Sequence, residues 1–367
     1  MRRISIINQK GGVGKTTTSA NLGAALAARG QRVFMIDLDP QAHLTIHLGT
    51  EPSPDRPSVY DVLTSGAAID SAAVPARPNI TLLPAYIDLA AAELELVSMV
   101  GRENILRDAV AAMPGEYDFL VIDCPPSLGL LTINALSATD EVLIPLQPHF
   151  LALQGLGKLF ETVTLVRDRL NRNLRVGGVM LCLYEAGTRL ATEVVDDLEQ
   201  FLNASRGQNV PWSEARLFTT TIRRNIKLAE CPSHGQTIFD YAPKSHGASD
   251  YARLARELLG EPLDEVEPAA TAGTPVAAAG SGADNVEQSS GDSQTIGDDR
   301  QLAAAADVDP PIDVMQNGDP SADSDAASCD PATACISADA ADDDATVISL
   351  PDAAAPAEPR QRYAQIA

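Results

Sequence analysis

The chain reads as an α/β protein, a mostly parallel sheet covered by helices on both faces. Short, continuously apolar runs alternate with longer amphipathic stretches up to about residue 260. A strand buried on both faces is apolar at every position, so unbroken runs argue for a parallel sheet between helices. Several of these runs also end in glycine-rich or acidic segments. In such sheets ligands sit at the carboxyl ends of the strands, which is where those segments fall.

The first run, Ile4-Ser5-Ile6-Ile7, leads into Asn8-Gln9-Lys10-Gly11-Gly12-Val13-Gly14-Lys15-Thr16-Thr17 and then into a helical stretch, Ala20 to Ala28. A glycine-rich turn between strand and helix leaves backbone N–H groups pointing inward with no Cβ to block approach. The positive end of the helix dipole adds to that concavity, so a polyphosphate is the expected guest. Gly11, Gly12, Val13, Gly14, Lys15, Thr16 and Thr17 form the cradle. Lys15 reaches the β- and γ-phosphates, and the Thr16 hydroxyl ligates Mg²⁺. The fold is thereby narrowed to that of a P-loop nucleoside triphosphatase.

The second run, Val33 to Ile36, ends in Asp37-Leu38-Asp39-Pro40-Gln41. Alternation along an extended segment points Asp37 and Asp39 the same way, towards the nucleotide. Further strands are expected at Ile80–Leu83, Phe119–Ile122, Val142–Pro145 and Val179–Leu183, and amphipathic helices at Arg102–Ala112, Leu153–Leu170 and Thr192–Leu202. The Phe119 run ends in Asp123, the position from which a carboxylate holds Mg²⁺ through water.

The loop departs from G-x-x-x-x-G-K-[ST] because its first glycine is replaced by Gln9, and a second lysine, Lys10, stands at its entrance. That pattern, the deviant Walker A motif, resembles the ParA/MinD family of ATPases. Ile144-Pro145-Leu146-Gln147-Pro148, Leu153-Gln154-Gly155-Leu156, Pro84-Ala85 with Leu89 to Leu96, and Ile222 to Gly235 resemble further segments of its ParA/Soj branch. The likeness covers residues 2–259. It implies ATP and Mg²⁺ as ligands and a homodimer closed by ATP, with Lys10 of each chain reaching the other's nucleotide. It assigns Asp39 to orienting the attacking water, beside the catalytic lysines Lys10 and Lys15, and places Asp37 near the Mg²⁺ shell. It also implies non-specific DNA binding, a ParB-like activator and a role in chromosome or plasmid partitioning from a cytoplasmic, nucleoid-associated location. Where the branch carries D-A-R-T, this chain reads Glu185-Ala186-Gly187-Thr188-Arg189. Arg189, with Arg223, Arg224 and Lys227, is the expected DNA strip, since phosphate contact tolerates changes of geometry. The alternatives are a ParA-like positioner of another cargo with weak or no DNA binding, and a MinD-like membrane-cycling regulator. The latter would need a basic amphipathic helix after the core.

Residues 261–367 hold 22 acidic and 3 basic residues among mostly Ala, Asp, Ser, Gly and Pro, against 28 acidic and 24 basic in residues 1–260. Bulky apolar residues there are too sparse to offset the entropy of ordering, so a disordered tail is expected after a single ATPase domain spanning 1–260. Such a tail would either compete with DNA for the basic strip or serve only to keep the protein soluble. The five cysteines form no C-x-x-C pair, which speaks against a disulfide framework, a zinc site and an iron–sulfur cluster. The five histidines share no metal-ligand spacing. No leader peptide or membrane span is expected, and no N-K-x-D motif points to guanine.

Overall fold

The computed structural model describes residues 1–263, apart from 54, 114, 150, 151 and 188. The expected acidic tail, beyond its first three residues, lies outside that range. Nine strands occur among the described residues: β1 (Arg2–Ile6), β2 (Val33–Asp37), β3 (Val74–Arg77), β4 (Ile80–Leu83), β5 (Phe119–Asp123), β6 (Glu141–Leu146), β7 (Arg175–Tyr184), β8 (Arg216–Leu217) and β9 (Ile222–Arg223). They run in the order β3-β4-β2-β5-β1-β6-β7-β8, with β9 also paired to β7. Only the β3–β4 pairing is antiparallel.

Burial on both faces explains the unbroken apolar runs. Along β2, Phe34 and Ile36 enter one core layer while Val33 and Met35 enter the other. Along β5, Leu120 and Ile122 are divided in the same way from Phe119 and Val121. Each such side chain contributes about 1.5–3 kcal/mol by leaving water. Helix Lys15–Ala28 covers the second layer and lies close to the sheet at Gly23. A Cβ there would stand 2.7 Å from the Met35 sulfur.

All six strands expected from the sequence are present, with β7 beginning four residues earlier than Val179. The amphipathic stretches form helices Ile105–Ala111, Ala152–Arg169 and Arg189–Ala204. Three strands lie beyond those expectations. β3 contains Pro75 and sits at the edge, where a missing N–H is tolerated. β8 and β9 are two residues each, too short for any periodicity to register.

The strand order places the functional segments together. β1 lies between β5 and β6, so the loop after β1 has the end of β5 on one side and the end of β6 on the other. In the β2–β5 register Asp37 pairs with Asp123, so both acidic strand ends lie at one level of that edge.

Candidate nucleotide site

Gly12 (φ +75°) and Gly14 (φ +92°) adopt the left-handed backbone that glycine takes without strain, and the helix starts directly afterwards at Lys15. A Cβ added to Gly11 or Gly12 would meet no atom within 4 Å, so open space lies against this part of the loop. The base of the loop is fixed by Asn8, whose side chain donates to the Pro145 carbonyl on β6 at 2.8 Å and accepts from the Lys10 N–H at 2.9 Å. Val13 is buried beneath the loop. Thr17 lies on the first helical turn, its carbonyl accepting from Asn21 Nδ2.

Lys15 is buried and folds back over the loop, with Nζ donating to the Lys10 carbonyl at 3.2 Å. Burial lowers its pKa, and the charges of Asp123 and Asp39 oppose that shift. A partly desolvated ammonium facing a concave array of N–H groups is a strong attractor for phosphate.

Asp123 is fully buried at the end of β5. Its Oδ2 accepts from the Thr16 hydroxyl and its Oδ1 from the Ser19 hydroxyl, each at 2.7 Å. Burial, with Asp37 nearby, pushes its pKa up to about 7 despite those two donors. A hydroxyl and a carboxylate held together are hard oxygen donors, the type Mg²⁺ prefers. The residues present therefore fit this metal, and a divalent cation would supply the charge that a buried Asp123 carboxylate calls for.

β2 ends at Asp37, Asp39 lies in the following turn, and the charges of both act on Asp123. Asp37 Oδ2 accepts from both the N–H and the hydroxyl of Thr45, at 2.8 and 2.7 Å, and its Oδ1 accepts from the Asp39 N–H at 3.2 Å. It ties the turn to the helix His43–His47, and burial raises its pKa to about 6. Asp39 accepts from the Gln41 N–H at 3.0 Å and lies close enough for its charge to act on both Lys15 and Asp123. Cys124 is a buried core thiol.

Four residues of this network carried no sequence expectation of their own: Asn8, Ser19, Thr45 and His149. Ser19 was within reach, since it stands three residues after Thr16 on the same helical face. His149 follows β6 and meets the Lys10 ammonium through Nε2. Their separation of 139 residues leaves no local signal.

Of the expected DNA residues, Arg223 and Arg224 lie at the carboxyl end of β7, where Arg223 pairs with Tyr184 in the β7–β9 register. Arg224 donates to Glu185 at 3.0 Å, which joins it to the Glu185–Arg189 segment. Each cation has an acidic partner: Arg189 with Glu193, Arg223 with Asp250, Arg224 with Glu185 and Lys227 with Glu230. Arg223 is the most constrained. It chelates the buried Asp250 through Nε and Nη2, while its backbone N–H donates to the same carboxylate. It joins β9 to helix His246–Leu259.

A parallel sheet with this loop after a central strand and a buried aspartate ending the adjacent one defines a P-loop nucleoside triphosphatase. The AAA domain family profile matches residues 1–176. Among curated proteins, the chain is 45% identical to sporulation initiation inhibitor protein Soj of Bacillus subtilis, over 70% of this chain and 97% of that one. It is 41% identical to chromosome partitioning protein ParA of Caulobacter vibrioides, over 74% and 98%. Among solved structures, it resembles a cobyrinic acid a,c-diamide synthase from Mycobacterium smegmatis with bound ATP analogue and magnesium. That match has 37% identity and TM-score 0.59, covering 71% of this chain and 94% of that one. Septum site-determining protein MinD of Pyrococcus horikoshii, complexed with Mg-ADP, matches at 26% identity and TM-score 0.55, over 70% and 95%. The chain belongs to the Soj/ParA family of chromosome-partitioning ATPases.

Proposed function

We propose that the chain is a Mg²⁺-dependent ATPase whose ATP-bound form is a face-to-face homodimer that binds DNA without sequence preference and drives partitioning with a ParB-like activator. The observation that carries the reading is the loop itself: two lysines, Lys10 exposed at its entrance and Lys15 buried across it, beside the half-buried Thr16 bonded to the buried Asp123. Lys15 and the N–H groups of Gly11 to Thr17 hold the phosphates. Thr16 and Asp123 hold Mg²⁺, with Asp37 bracing the turn that carries Asp39. Bound Mg²⁺ supplies charge neutralisation on the phosphate oxygens. Asp39 orients the water, since phosphoryl transfer depends on positioning and charge stabilisation more than on a strong base. Lys10 of each protomer completes the other's site. Loss of the γ-phosphate removes what joins the two chains, and they separate.

One observation favours a second reading, a ParA-like positioner of another cargo with weak DNA binding. The four cations of the strip are matched by four carboxylates, so it presents no net positive charge. Measuring binding to random-sequence duplex at about 50 and 200 mM salt, with ATP or with ADP, separates the two. ATP-dependent binding that falls steeply with salt supports partitioning on DNA. Binding that is absent at both salts, in protein that still hydrolyses ATP, supports the other cargo. No helix among the described residues is long and apolar enough to cross a membrane.

A further inference from the structure

We propose that His149 is a positioning residue that parks the Lys10 ammonium within its own chain and releases it on protonation, so that proton uptake favours the ATP-joined dimer. This rests on the reading that Lys10 serves the partner's nucleotide. The two segments are already stitched together: Asn8 holds the loop entrance to the Pro145 carbonyl, and His149 follows four residues after Pro145. Lys10 is exposed, and the acceptor that meets its ammonium is the Nε2 of His149. An ammonium has three donors and no lone pair, so Nε2 must accept, which places the imidazole proton on Nδ1. A lysine held this way has to leave His149 before it can cross to another chain. Protonation fills the Nε2 lone pair, removes the acceptor and sets two cations side by side. Among the described residues, Lys10 is the charged group whose field acts on the ring, and with burial it lowers the pKa of His149. The imidazole is therefore neutral and holding at pH 7.5, and it lets go on the acid side of its ordinary value of about 6.5.

The test measures the dimer dissociation constant of full-length protein by sedimentation, with saturating Mg²⁺ and a non-hydrolysable ATP analogue, between pH 5.8 and 7.8. Asp37 and Asp123 titrate in the same window, so wild type is compared at each pH with His149→Gln. That variant keeps an acceptor but cannot protonate, and it shares every other titrating group. The expected result is a wild-type dimer that tightens about 25-fold relative to His149→Gln on acidification, the worth of one net hydrogen bond in each of the two chains. His149→Ala, with no acceptor in either chain, should at pH 7.8 dimerise about 25-fold more tightly than wild type. Equal constants for His149→Ala and wild type at pH 7.8, a weaker His149→Ala dimer, or a wild type that tracks His149→Gln throughout would each overturn the parking. Lys10→Ala separates the two levels. If it dimerises like wild type, the underlying lysine-in-trans reading fails; if it stays monomeric while His149→Ala matches wild type, only the parking fails.

Discussion

The Thr16 hydroxyl donates a 2.7 Å hydrogen bond to Oδ2 of Asp123, a residue 107 positions away. The sheet order brings them together, because β5 is a direct neighbour of the strand that feeds the loop. The pair joins the phosphate cradle to the acidic strand end. Ser19 on the other carboxylate oxygen leaves Asp123 little rotational freedom.

A buried carboxylate with a raised pKa has a sign that can be worked out. The folded state holds its proton more tightly than the unfolded state, where the value is near 4. Its stability contribution is complete below about pH 4 and is lost as the pH rises through about 7. Asp123→Asn should therefore raise the melting temperature of nucleotide-free protein at pH 7.5, by a few degrees, and flatten its decline between pH 5 and 7.5. The same variant should lose ATP turnover by about 10²-fold or more. Calorimetry and a phosphate-release assay check the two halves.

Asp39→Ala should separate binding from chemistry. The variant keeps Lys15 and the loop, so nucleotide affinity stays near wild type. If Asp39 orients the attacking water, kcat should fall by about 10²–10³-fold. Lys15→Ala should instead abolish nucleotide binding. Titration of a fluorescent ATP analogue and single-turnover hydrolysis distinguish these outcomes.

The basic strip should divide by role. Arg224→Ala and Lys227→Ala remove exposed charges held by single surface ion pairs, worth less than about 1 kcal/mol to stability. If the strip binds DNA, each should weaken binding uniformly across sequences and lower the salt slope by about one. Arg223→Ala leaves the buried Asp250 carboxylate unpaired and should cost about 2 kcal/mol of stability, reduced from the fully buried case because the arginine is half exposed. Urea denaturation beside a DNA titration checks the division.

Much of this was open to reading in advance, for a physical reason. The strands β2 and β5 are apolar up to their terminal aspartates because both faces are covered, and the glycine-rich run joins strand to helix as expected, with Thr16 bonded to Asp123 on the neighbouring strand. What escaped reading depends on contacts distant in sequence. The capture of the Asp37 carboxylate by Thr45 follows from where β2 stops and how the next helix packs against that end. Glu193 and Glu230 stand at helical spacing from Arg189 and Lys227, so those pairs could have been foreseen. Asp250 and Glu185, which pair Arg223 and Arg224, are brought close only by the packing of β9. The meeting of Lys10 with His149 is of the same kind.

Whether Lys10 of one chain completes the nucleotide site of another is tested most directly by the trapped dimer. Sedimentation of Asp39→Ala with Mg²⁺ and ATP should show a stable dimer, since ATP is held and not hydrolysed. The double variant Lys10→Ala with Asp39→Ala should bind ATP equally well and remain monomeric. A double variant that dimerises as tightly as Asp39→Ala alone would contradict the role of Lys10 across the interface.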